Sequence, residues 1–390
     1  MAVGERIKRL YALDALRGFA ALAVVFWHWQ HFFDLNGSWQ AGWSRQSEPF
    51  YWALKPLYQA GWAAVDIFFA LSGFVFFWLY SDAIRHRRMK PGHFAVLRFS
   101  RLYPLHFVTL LAVAIMQLVY RRQIGHDFIY VADNWRRFGV GLLMAQQWLP
   151  PTAQFFFNGP GWSVSVEVLL YILFFAFCRA GMTGPRFTLA VVAVAAIAFC
   201  ANTNELITRG LMGFFVGGTV YHAVTWVLAR PDARRLAGLV AGLAAFAWIV
   251  LIAESYGDVH ASGRSDFGGY YVHSTEGLFI LPFIFIVSPL TVAALALHEH
   301  LYGGRWKMLS FLGDISYSTY LLHFPLQLAC VLAALHWGWT PRDFMHPLPM
   351  IAFFAVLIAL GALSHYGFER PLQAMIRHAA RAAAPAIQSA

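Results

Sequence analysis

Long apolar runs separated by short polar or basic stretches dominate the pattern along this chain of 390 residues. About 20 consecutive apolar residues allow one α-helix to cross a bilayer. Ten runs approach that length and predict ten crossings, at residues 10–33, 62–81, 102–120, 162–179, 187–202, 207–228, 236–253, 277–297, 310–333 and 349–368. The pattern therefore predicts an all-α, polytopic membrane protein, with a single domain over residues 1–377 and a cytoplasmic tail over 378–390.

The composition supports this class, since 59% of the residues are hydrophobic and 12% are charged. Soluble domains carry about 25% charged residues. Residues 138–150 are apolar but too few to cross, and they predict a re-entrant or interfacial helix on the outer side. Residues 34–60 and 254–276 are polar and rich in aromatic side chains, and they predict outer loops.

The distribution of basic residues predicts which side each connection faces. The net charge is +10. The connections on one side hold roughly twice as many Lys and Arg residues as those on the other, as the positive-inside rule describes. This places both termini in the cytoplasm, in agreement with an even number of crossings. Because the excess lies in short loops, it indicates topology rather than nucleic-acid binding.

Three ionisable side chains interrupt the first apolar run. Asp14, Arg17 and His28 would share one side of a helix, with Arg17 about 20° and Asp14 about 40° from His28 around the helix axis. Charged groups inside a membrane seldom face lipid, so this stripe predicts a functional interior face. The structural alternative is an arginine that reaches the membrane interface and a histidine that is hydrogen-bonded within the bundle.

The predicted topology brings two carboxylates to the depth of His28. Asp66 lies in the outer part of the second crossing, and Glu167 lies in the outer half of the fourth. A carboxylate beside a histidine fixes the imidazole tautomer and stabilises the imidazolium, which suits general base catalysis. We predict that these three residues are catalytic. The alternative is a polar cluster that only joins helices.

Arg98 and Arg101 stand three residues apart at the cytoplasmic entrance of the third crossing. Two guanidinium groups on one face of a helix suit a phosphate or diphosphate, which arginine binds in bidentate fashion. The alternative is the ordinary positive charge that flanks a membrane helix on its inner side.

The ninth crossing carries a polar face inside the predicted membrane span. Ser316, Tyr320 and His323 follow the i, i+4 and i, i+3 spacings of helix neighbours. They would line a substrate channel or hydrogen-bond to neighbouring helices, and the spacing does not decide between these roles. Further along, residues 369–371 predict a helix end at the inner interface.

Five segments, in order from residue 10 to about residue 370, carry a specific pattern. They are LDALRGFAALAVVFWHWQHF with its R-x10-H spacing, VDIFFALSGFVFF, RFSRLYPLHFVTLL with R-x-x-R, GWSVSVEVLLY, and FLGDISYSTYLLHFPL. Together they resemble the acyltransferase-3 family of integral membrane acyltransferases. One such segment would be a weak signal, whereas five in this order are a strong one.

The resemblance implies ten membrane helices and transfer of an acyl group from cytoplasmic acyl-CoA to an acceptor hydroxyl. Acetyl is the first expectation for the acyl group and succinyl the second, with no permanently bound cofactor and no metal. The implied acceptor is a carbohydrate outside the bacterial inner membrane, such as an exopolysaccharide or lipopolysaccharide, with a macrolide or other small molecule as the alternative. We expect no SGNH hydrolase-like domain of the kind that some family members carry.

The resemblance also assigns residues to roles. His28 matches the essential histidine of the family, and Arg17 matches its partner in R-x10-H. Arg98 and Arg101 match the pair associated with the acyl donor. Acidic residues also occur in the family at the positions of the three carboxylates named above.

Residues and resemblance together predict a site in which Arg17, Arg98 and Arg101 bind acyl-CoA and His28 deprotonates the acceptor. The residues predicted to contact the substrate are Asp14, Trp162, Ser165, Tyr171, Ser316, Tyr320 and His323. Stabilisation of the oxyanion requires a hydrogen-bond donor, for which the candidates are Ser163, Ser165, Tyr171 and Tyr320. A succinyl group would need a further cation, for which the candidates are Arg209 and Arg264.

A transporter or flippase is the alternative from a different class, with the polar stripe serving as a path for protons or solute. Such proteins often show paired half-repeats with interrupted helices. No such repeat is visible in this sequence, which favours the enzyme.

Overall fold

The computed structural model describes residues 9–35, 38–39, 43–130, 134–148, 155–256 and 280–383. Within these ranges, eight helices are long and apolar enough to cross a membrane: Tyr51–Arg85, Pro91–Ile124, Gly161–Arg179, Glu205–Leu228, Ala233–Tyr256, Ile280–Tyr302, Ser316–Trp337 and Pro347–Ala382. The predicted first and fifth crossings form shorter helices of 17 and 16 residues. The prediction of an all-α, polytopic membrane protein is confirmed.

The described elements are the following, in chain order. The α-helices are α1 (Tyr11–Trp27), α2 (Tyr51–Ala60), α3 (Ala64–Phe76), α4 (Asp82–Arg85), α5 (Pro91–Ile124), α6 (Trp135–Leu142), α7 (Gly161–Arg179), α8 (Pro185–Cys200), α9 (Glu205–Leu228), α10 (Ala233–Tyr256), α11 (Ser288–Tyr302), α12 (Ser310–Asp314), α13 (Ser316–Trp337), α14 (Pro347–Leu363) and α15 (Arg370–Ala383). Four 3-10 segments lie at His28–Phe33, Arg45–Ser47, Gly61–Ala63 and Pro341–Met345. Three π-helical segments lie at Phe77–Ser81, Phe283–Val287 and Ser364–Glu369. Two strands of two residues each, β1 (Asp34–Leu35) and β2 (Ser38–Trp39), pair antiparallel.

The chain divides into two compact units, of which the first comprises Met1–Val24, Lys55–Arg85 and Leu170–Asp314. In this unit α3 and α9 pack backbone against backbone, because glycines stand at their contact. A Cβ on Gly73 would lie 1.8 Å from the carbonyl oxygen of Phe214, and one on Gly217 would lie 2.0 Å from that of Ala70. Small residues permit this close helix packing inside membranes. Elsewhere in the unit, α8 also packs on α9, and α10 packs on α11.

The second unit comprises Val25–Leu54, His86–Leu169 and Ile315–Ala390. Its α13 packs on both α5 and α14, and α15 packs on α5. Buried apolar side chains join α5 to α13, among them Leu110 and Val113 on α5 and Phe324 and Leu328 on α13. This contact fixes α13, which carries the polar face predicted from the sequence, against α5, which carries the two arginines predicted to bind the acyl donor.

Two local predictions need correction, and a third is confirmed in part. Residues 34–60 were expected to form a loop, but residues 51–60 are helical and continue into the predicted second crossing. Residues 369–371 were expected to end a helix, yet the chain remains helical to Ala383 through the π-helical segment Ser364–Glu369. A π-turn relaxes the regular bonding pattern, so Pro371, which lacks an N–H, is accommodated without a break. The segment 138–150 is confirmed as too short to cross, since its helix α6 has 8 residues.

Candidate active site

The regular helix α1 ends at Trp27, and His28 opens a 3-10 segment of 6 residues. The prediction of one helix through residue 33 is therefore wrong. The physical reason lies in the backbone carbonyl groups at this point. Arg45 donates to the Trp27 oxygen at 3.3 Å, and Gln327 donates to the His28 oxygen at 2.8 Å. These side chains bind carbonyl groups that a continuing α-helix would use for its own hydrogen bonds. The chain therefore changes to the tighter 3-10 conformation over His28–Phe33.

Three histidines lie together in the second unit. The ring centroid of His28 is 4.8 Å from that of His31 and 4.8 Å from that of His323. His28 is 8% exposed, and the other two are fully buried. No group of three or more His, Cys, Asp or Glu residues in the described part of the chain is arranged to hold a metal ion. The three imidazoles therefore form a compact buried cluster, and imidazole is the side chain that most often transfers protons near neutral pH.

Gln327 connects two of these histidines. Its Nε2 donates to the His28 carbonyl oxygen, and its Oε1 lies 3.1 Å from Nδ1 of His31. Because an amide oxygen only accepts, the second contact places a proton on Nδ1 of His31. Gln327 follows His323 by four residues on α13, so both side chains lie on the same face of that helix. One face of α13 thus contacts both the backbone of the 3-10 segment His28–Phe33 and the imidazole rings of His28 and His31.

The hydroxyl groups predicted as oxyanion donors make specific contacts within this unit. Ser163 donates to the Tyr320 hydroxyl at 2.9 Å, and Tyr320 donates to the Pro160 carbonyl at 3.0 Å. Ser165 accepts from the backbone N–H of Gln147 at 3.2 Å. These bonds anchor α7 to α13 and to the segment after α6. They give Tyr320 and Ser163 a structural role in shaping the site.

The remaining predicted substrate residues have clear positions. In the second unit Ser316 is buried on α13, and the half-buried Trp162 lies edge-on to Phe155. In the first unit Tyr171 is buried and its ring stacks on Phe76, with centroids 4.5 Å apart. Tyr171 therefore packs as a core aromatic residue of that unit.

Arg45, in the segment after β2, is hydrogen-bonded to the 3-10 segment His28–Phe33 and to the residue before it. Besides its bond to the Trp27 carbonyl, it donates to Oε1 of Gln30 at 2.7 Å. Its Nη1 lies 3.7 Å from Oε2 of Glu48, which is 3% exposed. Burial raises the pKa of Glu48 to about 8, although Arg45 acts in the opposite direction.

This raised pKa predicts that the folded state loses stability as the pH rises. The folded chain keeps the Glu48 proton at pH values where the unfolded chain has lost it, so stability falls between about pH 4.5 and about pH 8. We expect Glu48→Gln to have a higher melting temperature than the wild type at about pH 9 and a similar one at about pH 5. The measurement is the melting temperature of detergent-purified protein across this range. Parallel curves for the two proteins would show that Glu48 is not the titrating group.

Asp14 and Arg17 lie in the first unit, where they form an ion pair. Nη2 of Arg17 lies 3.1 Å from Oδ1 of Asp14 and 2.8 Å from the carbonyl oxygen of Gly313. Arg9 joins Asp14 to Asp314 with contacts of 2.7 and 2.6 Å. The two predicted neighbours on the helix stripe are thus brought together, in a network that fixes α1 to α12.

Asp66 also lies in the first unit and is bound to Arg209. The guanidinium donates twice to the carboxylate, at 2.8 and 2.6 Å, and both side chains are buried. The Arg209 guanidinium also lies 4.8 Å from the ring centroid of Trp62. Arg209 was considered as a cation for a succinyl group, and it is instead the partner of the predicted catalytic Asp66. Arg264, the other candidate cation, lies outside the described residues.

The two arginines of R-x-x-R lie on α5 in the second unit, and both are half-buried. The Arg98 guanidinium lies 5.8 Å from the ring centroid of Phe94. Arg101 interacts electrostatically with Glu369, which is 3% exposed. Oε1 of Glu369 accepts from Ser318 at 2.5 Å and from Ser364 at 2.8 Å. A buried carboxylate thus stands beside one of the predicted donor-binding arginines.

The structure brings together some predicted site residues and adds others. His28 and His323 lie ring to ring, and Asp14 pairs with Arg17. Glu167 is half-buried on α7 in the second unit. Sequence reasoning missed the supporting roles of His31, Arg45, Gln327 and Glu369, and it missed the pairing of Arg209 with Asp66. The spacing of Gln327 from His323 was a signal that could have identified it.

Eight long apolar helices in the described ranges define a polytopic membrane protein, and three buried imidazoles lie together in its second unit. A family model described as an acyltransferase domain matches residues 10–366. The chain therefore belongs to the acyltransferase-3 family. No solved structure is significantly similar to it.

Three relatives illustrate the range of similarity. Acyltransferase MdmB of Streptomyces mycarofaciens is 35% identical over 172 residues, which cover 43% of this chain and 39% of MdmB. The putative membrane-bound transacylase BcsY of Komagataeibacter xylinus is 26% identical over 335 residues, or 80% of this chain and 72% of BcsY. Peptidoglycan O-acetyltransferase OatA of Listeria monocytogenes is 23% identical over 356 residues, or 82% of this chain and 50% of OatA. The matched region thus spans half of OatA and less of MdmB.

Proposed function

We propose that the protein is an inner-membrane O-acyltransferase that moves an acyl group from cytoplasmic acyl-CoA to a hydroxyl of an extracytoplasmic polysaccharide or glycolipid. The observation that carries this proposal is the match of residues 10–366 to an acyltransferase family, combined with the imidazole cluster around His28. A relative named as an O-acetyltransferase supports acetyl as the acyl group, and one named as a membrane-bound transacylase supports acyl transfer at a membrane. A small molecule such as a macrolide is the second candidate acceptor.

His28 acts in this proposal as the general base. It takes the proton of the acceptor hydroxyl while the oxygen attacks the thioester carbonyl, and CoA leaves as the thiolate, which then takes up a proton. Glu167, which lies in the same unit as His28, remains a predicted contributor to this site. The bond of Asp66 to Arg209 assigns that carboxylate first to holding α3 and α9 together.

The proposed donor and acceptor are tested with membrane vesicles from a bacterial host that expresses the chain. The vesicles are supplied with radiolabelled acetyl-CoA. The proposal expects label in a polymeric or lipid-linked fraction, released by mild alkali as an ester would be. Label in a soluble small molecule would favour the second acceptor. Transfer that does not depend on acetyl-CoA, or no transfer from either acetyl-CoA or succinyl-CoA, would contradict the proposed donor.

Arg98 and Arg101 are proposed to bind the phosphates of the donor. A hydrogen bond to a charged group contributes about 1.5–3 kcal/mol, and each 1.4 kcal/mol is tenfold in affinity. We therefore expect Arg98→Ala and Arg101→Ala each to raise the KM for acetyl-CoA by about tenfold or more, with a smaller change in kcat.

Arg85→Ala provides a matched control, because Arg85 is exposed in the same basic stretch of the sequence. Initial rates over a range of acetyl-CoA concentrations measure all three variants. An equal rise in KM for Arg85→Ala would indicate a general effect of surface charge. An unchanged KM for Arg98→Ala and Arg101→Ala would remove both from the donor site.

A further inference from the structure

His323 has a ring nitrogen that its own helix leaves available. Its Nδ1 lies 2.6 Å from the carbonyl oxygen of Tyr320. A carbonyl oxygen only accepts, so in the neutral ring the proton is on Nδ1 and Nε2 carries a lone pair. This Nε2 is buried and has no hydrogen-bond partner within the described part of the chain. A buried acceptor without a partner is costly, so its presence beside a reactive group calls for a functional explanation.

The surroundings of His323 indicate which donor this lone pair serves. Within the described part of the chain, the rings in contact with it are those of His28 and Tyr320, at centroid distances of 4.8 and 5.9 Å. The Tyr320 hydroxyl already donates to the Pro160 carbonyl. The N–H of the nearby His31 is directed at Gln327. His28 is therefore the neighbour that can present a ring N–H to Nε2, and the centroid distance allows one water between the two imidazoles or a direct bond after a rotation of either ring.

We propose that His323 is the positioning residue for the base, with Nε2 of His323 accepting a hydrogen bond from the ring N–H of His28. This inference rests on the proposed function. It leaves the other nitrogen of His28 as the lone pair that meets the acceptor hydroxyl. In serine hydrolases a carboxylate performs this service for the base. Here the carboxylate predicted for that role, Asp66, is held by Arg209.

The proton balance of the step is simple. The O–H bond of the acceptor breaks, and an N–H bond forms on His28, whose positive charge is shared with the neighbouring imidazole. The new ester bond forms as the thioester C–S bond breaks. The proton then leaves the histidine pair and is taken up by the CoA thiolate, so the products are the ester and free CoA thiol. No oxidant, metal or further reactant enters the step.

The test compares two substitutions that differ in one property. His323→Phe keeps a ring of similar size but removes the acceptor, whereas His323→Gln places an amide oxygen near the position of Nε2. We expect His323→Phe to lower kcat by about 10- to 100-fold with an unchanged KM for acetyl-CoA, and His323→Gln to recover most of that loss. His336→Phe is the matched control, since His336 is an exposed residue of the same helix.

Several outcomes decide the proposal. Wild-type kcat in His323→Phe would overturn it, as would an equal loss in His323→Phe and His323→Gln, which would indicate packing alone. If His323→Phe does not fold, judged by its melting temperature, His323→Leu replaces it in the same comparison. Absence of CoA-dependent transfer in the wild type would instead overturn the proposed function and this inference with it. Retention of transfer in His323→Phe while His28→Ala is inactive would overturn only this inference.

Discussion

Replacing His28 by alanine is expected to lower kcat for acyl transfer by about 100- to 10,000-fold, the range that general acid–base catalysis contributes. The KM for acetyl-CoA should stay near the wild-type value, because the proposal assigns the donor phosphates to the arginines and not to His28. His28 lies at the centre of the histidine cluster, with rings 4.8 Å away on two sides. The measurement is initial-rate kinetics on purified protein or membrane vesicles.

Two controls make this result specific. The His28 side chain is 8% exposed, and its loss leaves a cavity that can destabilise the fold. The kinetic result therefore counts only if the melting temperature of His28→Ala stays close to that of the wild type. His336→Ala, at an exposed position on α13, should have wild-type kinetics. If His28→Ala keeps its kcat in a folded protein, histidine is not the base.

The second large effect concerns stability and the buried pair Asp66–Arg209. Removing one partner leaves an uncompensated buried charge, which costs about 3–5 kcal/mol. We therefore expect Asp66→Asn and Arg209→Gln each to reduce the yield and the melting temperature strongly. Replacing both partners by apolar residues, in Asp66→Leu with Arg209→Met, should recover most of the stability, because no unpaired charge remains.

The chain offers a matched exposed pair as a control. Arg230 and Asp232 lie 4.0 Å apart, with side chains 51% and 52% exposed, and such surface pairs contribute about 0–1 kcal/mol. Arg230→Gln should therefore leave the melting temperature almost unchanged. Equal effects of Arg209→Gln and Arg230→Gln would contradict a structural role for the buried pair. A stable double variant without transfer activity would show that Asp66 also takes part in the chemistry.

The architecture was predictable because each segment that crosses the lipid must be an apolar helix of sufficient length. A helix such as Gly161–Arg179 has no water around its middle, so its apolar length shows in the sequence. The spacing of Asp14 and Arg17 likewise places them on adjacent turns, and they form an ion pair. These properties depend on residues close together along the chain.

The site was predictable only in part, because its key contacts join residues far apart in sequence. Asp66 and Arg209 are separated by 143 positions, and His28 and Gln327 by 299. No local pattern indicates that Arg209 pairs with Asp66, the carboxylate predicted to assist His28. The end of α1 at Trp27 has the same origin, since Arg45 and Gln327 hold the carbonyls that a longer helix would have used. Contacts between polar side chains that are distant in the sequence therefore had to be read from the structure, although most of the residues involved could be named beforehand.

The central claim is that an acyl group passes from a donor on the cytoplasmic side to an acceptor on the other side, through the site at His28. Sealed membrane vesicles of both orientations, given radiolabelled acetyl-CoA from outside, test it most directly, because acetyl-CoA does not cross the bilayer. We predict that inside-out vesicles label alkali-releasable esters on the enclosed glycan, and that sealed right-side-out vesicles do so only after permeabilisation. Equal labelling of both sealed orientations, or equal labelling by His28→Ala, would contradict the account.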